Sequence, residues 1–142
     1  MKHSNLSAPL QRFVEEVNTL LESEEESSLH RKVSDAMGSL VAKDDWLDPA
    51  FAEPHPQHYQ QYLLYADPDD RFSVVSFVWG PGQRTPIHDH TVWGVVGMLR
   101  GAEMAQNYEL VVDGAPNSVG DEMRLMPGER EQKTKGRQLV NN

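Results

Sequence analysis

The chain has 142 residues, enough for one domain with little room for a second. Its net charge of -9 repels phosphate backbones and argues against a nucleic-acid partner. It contains no cysteine, which excludes disulfides and thiolate metal sites. The first residues have no apolar signal-peptide core and no apolar run approaches the length of a membrane span, so we expect a soluble cytoplasmic protein with no membrane contact.

Residues 1–48 show apolar side chains at helical spacing. The first stripe comprises Leu10, Phe13, Val14, Val17, Leu20 and Leu21. The second comprises Leu29, Val33, Met37, Leu40 and Val41, after an acidic run at residues 22–26. Ser7 is a suitable N-cap, and Pro9 suits a first turn. The spacing predicts two amphipathic helices that each bury one face.

The pattern changes to short strands from about residue 59 to residue 126. The β-forming stretches are 62–65, 72–79, 92–99, 104–112 and 123–126. Turn signals stand between them at Pro81-Gly82, Arg100-Gly101 and Asp113-Gly114. Short strands separated by such turns indicate an all-β barrel or sandwich within the same domain.

The tail, residues 130–142, differs from the rest. Residues 130–138 include no apolar side chain, and the segment is basic where the rest of the chain is acidic. Because a buried strand needs apolar residues on one face, we expect this tail to be disordered and not to complete a barrel.

The chemistry centres on His88 and His90. Histidines two positions apart on a strand point the same way, so both imidazoles can meet one metal ion. Neutral imidazole suits iron, copper, nickel and zinc better than magnesium or calcium. Gly82 lies six residues before the first histidine, and Gly101 stands where a following hairpin would close. The string resembles the first motif of the cupin superfamily, Gly-x5-His-x-His-x3-4-Glu-x6-Gly.

One position departs from that motif. Gly94 and Val95 stand where the cupin glutamate is expected, and neither side chain can bind a metal. A cupin without this carboxylate would have an all-histidine site, which leaves the full charge on the ion. Such a site favours an anionic partner such as a thiolate.

Residues 59–64, 71–82 and 85–94 together resemble the bacterial cysteine dioxygenase type I family, above all the members that act on 3-mercaptopropionate. The resemblance covers about residues 1–129. It implies a mainly β fold, a cupin-like double-stranded β-helix preceded by two N-terminal α-helices. It also implies an Fe(II) cofactor with His88 and His90 as two of its ligands. The resemblance identifies no catalytic residue of this chain beyond these ligands. The implied function is that of a non-haem iron thiol dioxygenase, an oxidoreductase of thiol metabolism that converts a small thiol carboxylate and O2 into a sulfinic acid.

Gln61 matches the family position at which the cysteine-specific members carry an arginine that pairs with the substrate carboxylate. Glutamine can donate a hydrogen bond but carries no charge. The resemblance therefore implies that Gln61 binds substrate, with 3-mercaptopropionate favoured over cysteine.

The chain departs from the family after about Glu129. The family continues with a third histidine ligand, a Ser-His-Tyr relay and an arginine, whereas here no histidine follows His90. The sequence is that of an apparently truncated or frameshifted member, with the β-helix incomplete at its C-terminal end. Two alternatives to an active dioxygenase stay open. One is an inactive remnant or weak metal-binding cupin, and the other is a different cupin enzyme, against which the missing glutamate and Gln61 count.

Overall fold

The computed structural model describes residues 6–84, 88–90, 92–109, 117–133 and 136–141. Two N-terminal helices are followed by antiparallel strands in small sheets, which confirms the expectation of a mainly β chain with a helical N-terminus. The helices are α1 (Ala8–Ser23) and α2 (Glu26–Val41), followed by a short 3-10 helix at Pro49–Phe51. The strands are β1 (Gln60–Ala66), β2 (Ser73–Val78), β3 (His88–His90), β4 (Gly94–Gly97), β5 (Glu103–Glu109), β6 (Asn117–Leu125), β7 (Arg130–Lys133) and β8 (Gly136–Asn141).

The two helices form an antiparallel pair whose apolar stripes face each other and the first sheet. The residues buried there are Leu10, Phe13, Val14 and Val17 of α1 and Leu29, Val33, Ala36 and Leu40 of α2. Both stripes are thus confirmed as core. Ser7 is the N-cap residue of α1, as expected, but its hydroxyl makes no capping hydrogen bond. Pro9 lies in the first turn of α1, where the missing N–H costs nothing.

Strands β1 and β2 form a two-stranded antiparallel sheet that packs one face on the helices. Tyr65 and Val74 are buried in the helical core, and Leu64 and Phe72 are partly buried against it. The register shifts between Leu63 and Tyr65, which allows one β1 residue to bulge. A two-stranded ribbon is marginal by itself in water, so its order depends on this contact with the helices.

The turn between β1 and β2 is held by Asp67, whose side chain is only 2% exposed. Arg71 donates to Asp67 Oδ2 from its backbone N at 3.0 Å and from Nε at 2.9 Å. The same guanidinium reaches α1, where Nη2 donates to Asn18 Oδ1 at 2.7 Å. The hydrogen bond from the Arg71 side chain lowers the pKa of Asp67 from 3.8 to about 2.

We expect Asp67→Asn to destabilise the fold at neutral pH and to matter less in acid. The folded-state pKa of Asp67 lies below its unfolded value, so its contribution is present above about pH 4. That contribution disappears as the pH falls toward about 2. Thermal unfolding should therefore give a midpoint several degrees lower for the variant at pH 7, and midpoints that converge with those of the parent only as the pH falls to about 2 and below. Asp69→Asn, an exposed carboxylate in the same turn, is the control and should leave the midpoint almost unchanged. A constant difference across the whole pH range would contradict the assignment.

The remaining strands form two further antiparallel sheets. The larger has the order β3-β8-β5-β6, and the smaller pairs β4 with β7. Strand β8 lies between β3 and β5, with Gln138 opposite both His88 and Asn107. Strands β4 and β5 follow each other in sequence but are not paired. The expected hairpin closed by Gly101 is therefore wrong, although Gly101 does turn the chain at a φ of 74°.

The smaller sheet packs against helix α2 at Gly97 of β4. A Cβ at this position would lie 2.7 Å from both Val41 Cγ1 and Met37 Sδ, so the strand can approach the helix only with glycine here. Arg130 of β7 reaches the same helix, where Nη2 donates to Asp35 Oδ1 at 3.0 Å. Both strands of the small sheet are therefore attached to α2.

The tail differs from the sequence prediction. Residues 130–133 and 136–141, expected to be disordered, form strands β7 and β8 and pair with β4, β3 and β5. The physical reason is that strand pairing uses backbone N–H and C=O groups, which polar residues offer as well as apolar ones.

No helix of the described residues is long and apolar enough to cross a membrane.

Candidate functional site

Strand β3 contains both predicted metal ligands. It pairs antiparallel with β8, and the register places His88 opposite Gln138, Asp89 opposite Arg137 and His90 opposite Gly136. The expected strand conformation of the His-x-His segment is thus present. The prediction that the two imidazole rings converge concerns side chains that lie outside the described residues, so it stays a prediction.

The chain reaches β3 through the turn predicted at Pro81-Gly82. The backbone N of Gln83 donates to the Gly80 carbonyl at 3.1 Å, and Gly82 has a φ of 77°, which the third position of such a turn requires. The Gln83 side chain then fixes the loop from two sides. Its Oε1 accepts from the Gly80 N–H at 2.6 Å, and its Nε2 donates to the His55 carbonyl at 2.7 Å. The segment that precedes β3 in the sequence therefore begins with a defined turn.

The chain leaves β3 toward helix α2. Trp93 is partly buried against the helical core, and its ring stacks on that of His30 with centroids 3.9 Å apart and planes 23° from parallel. Strand β4 starts at the next residue, Gly94, which pairs with Lys133 of β7. Gly94 and Val95, which replace the cupin glutamate, thus stand at the beginning of β4 and offer no carboxylate.

Gln61, the predicted substrate-binding residue, lies on β1 opposite Phe77 of β2. Its side chain is exposed on the face of this sheet that points away from the helices. The same face presents Leu63, 61% exposed, and Phe77, 50% exposed. The rings of Tyr59 and Trp79 stack beside them with centroids 4.8 Å apart. The sheet of Gln61 is separate from that of β3, so strand pairing does not bring Gln61 and the two histidines together.

His55 and His58 are the nearest histidines in sequence that could replace a third ligand. Their rings stack on each other with centroids 3.7 Å apart and planes 12° from parallel. His55 Nδ1 accepts from the Gln57 N–H, and His58 Nδ1 donates to the Tyr59 carbonyl. Ring lone pairs lie in the ring planes, so two rings stacked face to face do not both point at one ion. Within the described ranges, no group of three or more His, Asp or Glu side chains could hold a metal.

Two buried charged residues, Glu103 and Lys133, were not predicted from the sequence. Glu103 at the start of β5 is 6% exposed and Lys133 at the end of β7 is 7% exposed. Lys133 Nζ lies 2.8 Å from Glu131 Oε1. Burial raises the pKa of Glu103, and the nearby Lys133 partly opposes this shift. Nothing in the sequence marks these residues, because each stands in a polar strand that reads as solvent-facing.

Searching family models with the chain gives no match. The site therefore consists of the His-x-His strand, its defined entry turn and its attachment to α2 through Trp93. Whether His88 and His90 bind a metal ion stays a prediction.

Proposed function

We propose that the chain is a member of the thiol dioxygenase family with a cupin-type double-stranded β-helix. Two N-terminal helices followed by antiparallel strands are consistent with that architecture. The observation that carries the proposal is the His88-Asp89-His90 strand, which follows a glycine turn at Gly82. Against it stands the separation of the strands into three sheets across the described residues.

In this proposal His88 and His90 bind Fe(II). When bound, the ion would supply binding sites for O2 and for the substrate thiolate next to each other. The substrate is a small thiol carboxylate, either 3-mercaptopropionate or cysteine, and the product is its sulfinic acid. Both oxygen atoms of O2 become bonded to the substrate sulfur, so the reaction needs no other reductant. Gln61 donates a hydrogen bond to the substrate carboxylate. The reaction belongs to the cytoplasm, where thiols stay reduced.

A second candidate function is metal binding without catalysis. It is favoured by the composition of the strand next to β3, since β8 contains no histidine. Two imidazoles fix an ion less firmly than three, and a loosely placed ion loses rate steeply. In this case the chain would hold a divalent ion weakly and would not turn over thiols.

The experiment that separates these candidates combines metal binding with product detection. Purified protein is titrated with Fe(II) without oxygen, and then supplied with O2 and 3-mercaptopropionate or cysteine. We expect the double variant His88→Ala/His90→Ala to raise the metal dissociation constant by about 100-fold or more, because both ligands are lost. The matched control is the double variant His55→Ala/His58→Ala, which also removes two imidazoles and should bind metal like the parent.

The outcomes are distinct. Formation of a sulfinic acid by the parent, lost in the His88→Ala/His90→Ala variant, supports the dioxygenase. Metal binding that depends on these two residues, without any product, supports the second candidate. If the parent binds no metal, or if both double variants bind as the parent does, the proposed site is wrong.

A further inference from the structure

We propose that His30 of helix α2 is a positioning residue for strand β3, on which it acts through Trp93. The inference rests on the proposed metal site at His88 and His90, and it adds to that site a residue from the helical part of the chain. His30 does not itself bind the ion in this proposal. It fixes the end of the strand that bears the two ligands.

The first observation concerns the His30 ring. It lies nearly parallel to the indole of Trp93 at a centroid distance of 3.9 Å, which is an aromatic stacking contact. Its Nε2 atom is buried and finds no hydrogen-bond partner among the described residues. An unpaired buried nitrogen is a cost to the fold. The ring is therefore held by its contact with Trp93 and not by polar bonds from Nε2.

The second observation concerns the chain after β3. Trp93 stands three residues after His90, and both Trp93 and Val95 pack against the helical core. Gly97 then approaches α2 so closely that any side chain would collide with Val41. The chain from Trp93 to Gly97 is thus laid along the helices, with the Trp93–His30 stack at the end nearest β3.

The two observations are connected by the short stretch of chain between Trp93 and His90. Three residues span at most about 10 Å, so the position of Trp93 limits where His90 can lie. The other side of β3 is fixed by its pairing with β8. Losing the stack would leave the C-terminal end of β3 without its nearest anchor, and the two imidazoles would share one ion in a wider range of geometries.

The test compares His30→Ala with His30→Phe, which keeps a ring over Trp93 but removes both ring nitrogens. Metal binding is followed with Co(II) as the probe. Amide hydrogen exchange of the peptide that includes residues 88–90 is measured without metal. We expect His30→Ala to weaken Co(II) binding about tenfold, the lower end of the effect of residues that orient metal ligands. We also expect faster exchange in β3. His30→Phe should restore both values to within about threefold of the parent, because stacking and not hydrogen bonding carries the effect. His55→Ala removes a stacked imidazole elsewhere and should change neither value.

Co(II) affinity and β3 exchange that are unchanged in His30→Ala would overturn the inference. So would a His30→Phe variant that is folded but as weak as His30→Ala. If His30→Ala does not fold, His30→Phe is compared with His30→Gln, which fills similar space without a ring, and the same tenfold difference is expected between them. Equal Co(II) affinity in that pair would overturn the inference. Absence of Co(II) binding in the parent is a failure of the proposed function. In that case faster β3 exchange in His30→Ala, restored by His30→Phe, still supports the anchoring role, and its absence overturns it.

Discussion

Deleting residues 134–142 is expected to unfold the four-stranded sheet and, with it, the metal site that we propose at β3. The deletion removes β8, which pairs with β3 on one side and with β5 on the other. Without it, two strands lose their backbone partners, and β3 has no other partner among the described strands. Unpaired strand edges also promote self-association. Circular dichroism and gel filtration should report loss of β-structure and aggregation.

A point substitution separates the effect of losing strand pairing from the effect of shortening the chain. Gln138→Pro removes the backbone donor at the residue that stands opposite both His88 and Asn107, and proline is not tolerated in a central strand. We expect a loss of at least about 1 to 3 kcal/mol in the free energy of unfolding. Gln138→Ala keeps the backbone N–H and is the matched control, with little expected effect. A deletion variant with parental circular dichroism and metal affinity would show that β8 is dispensable.

Phe13→Ala is expected to have the second large effect, on the helical part of the core. Phe13 is 6% exposed and lies among the buried residues that join α1, α2 and the β1–β2 sheet. Replacing a buried phenylalanine by alanine costs about 3–5 kcal/mol through lost burial and a residual cavity. That is a large part of the roughly 5–15 kcal/mol that stabilises an ordinary domain.

Urea unfolding followed by tryptophan fluorescence measures this loss. We expect the urea midpoint of Phe13→Ala to fall strongly. Glu16→Ala is a matched control, because it shortens an exposed side chain of the same helix to alanine. Its effect should stay within about 0.5 kcal/mol. Similar midpoints for the two variants would mean that the buried stripe of α1 does not stabilise the fold.

The helices could be predicted because the apolar spacing that determines them lies within short segments of the sequence. The stripes that begin at Leu10 and Leu29 repeat with helical period, and burial selects those same positions. The positions of β1, β2 and β5 also followed from β-forming runs and turn signals. The pairing of β5 with β6 agrees with the hairpin signal at Asp113-Gly114. The pairing of β7 with β4 and of β8 with β3 and β5 was not predictable, because these partners are distant in sequence and recognise each other through backbone groups common to all residues.

The tail is the clearest failure of the sequence analysis. Polar residues at 130–133 carry no apolar alternation, yet Arg130 contacts Asp35 and Lys133 is buried beside Glu131. The strand is stabilised by its pairing with β4 and by the contact of Arg130 with Asp35, and no local window of sequence contains these partners. At the site, the His-x-His strand and the turn at Gly82 could be predicted from the sequence. The contact of His30 with Trp93 could not, because it joins residues 63 positions apart.

The position of β8 in the sheet also determines when the protein can fold during synthesis. The helices and the β1–β2 ribbon involve neighbours in sequence and can form while later residues are still being added. Strand β3 must wait for residues 136–141, which the ribosome supplies only a few seconds later at about 5–20 residues per second. In that interval β3 lacks the strand with which it pairs in the fold, so slower translation lengthens the time for which its backbone groups stay unpaired.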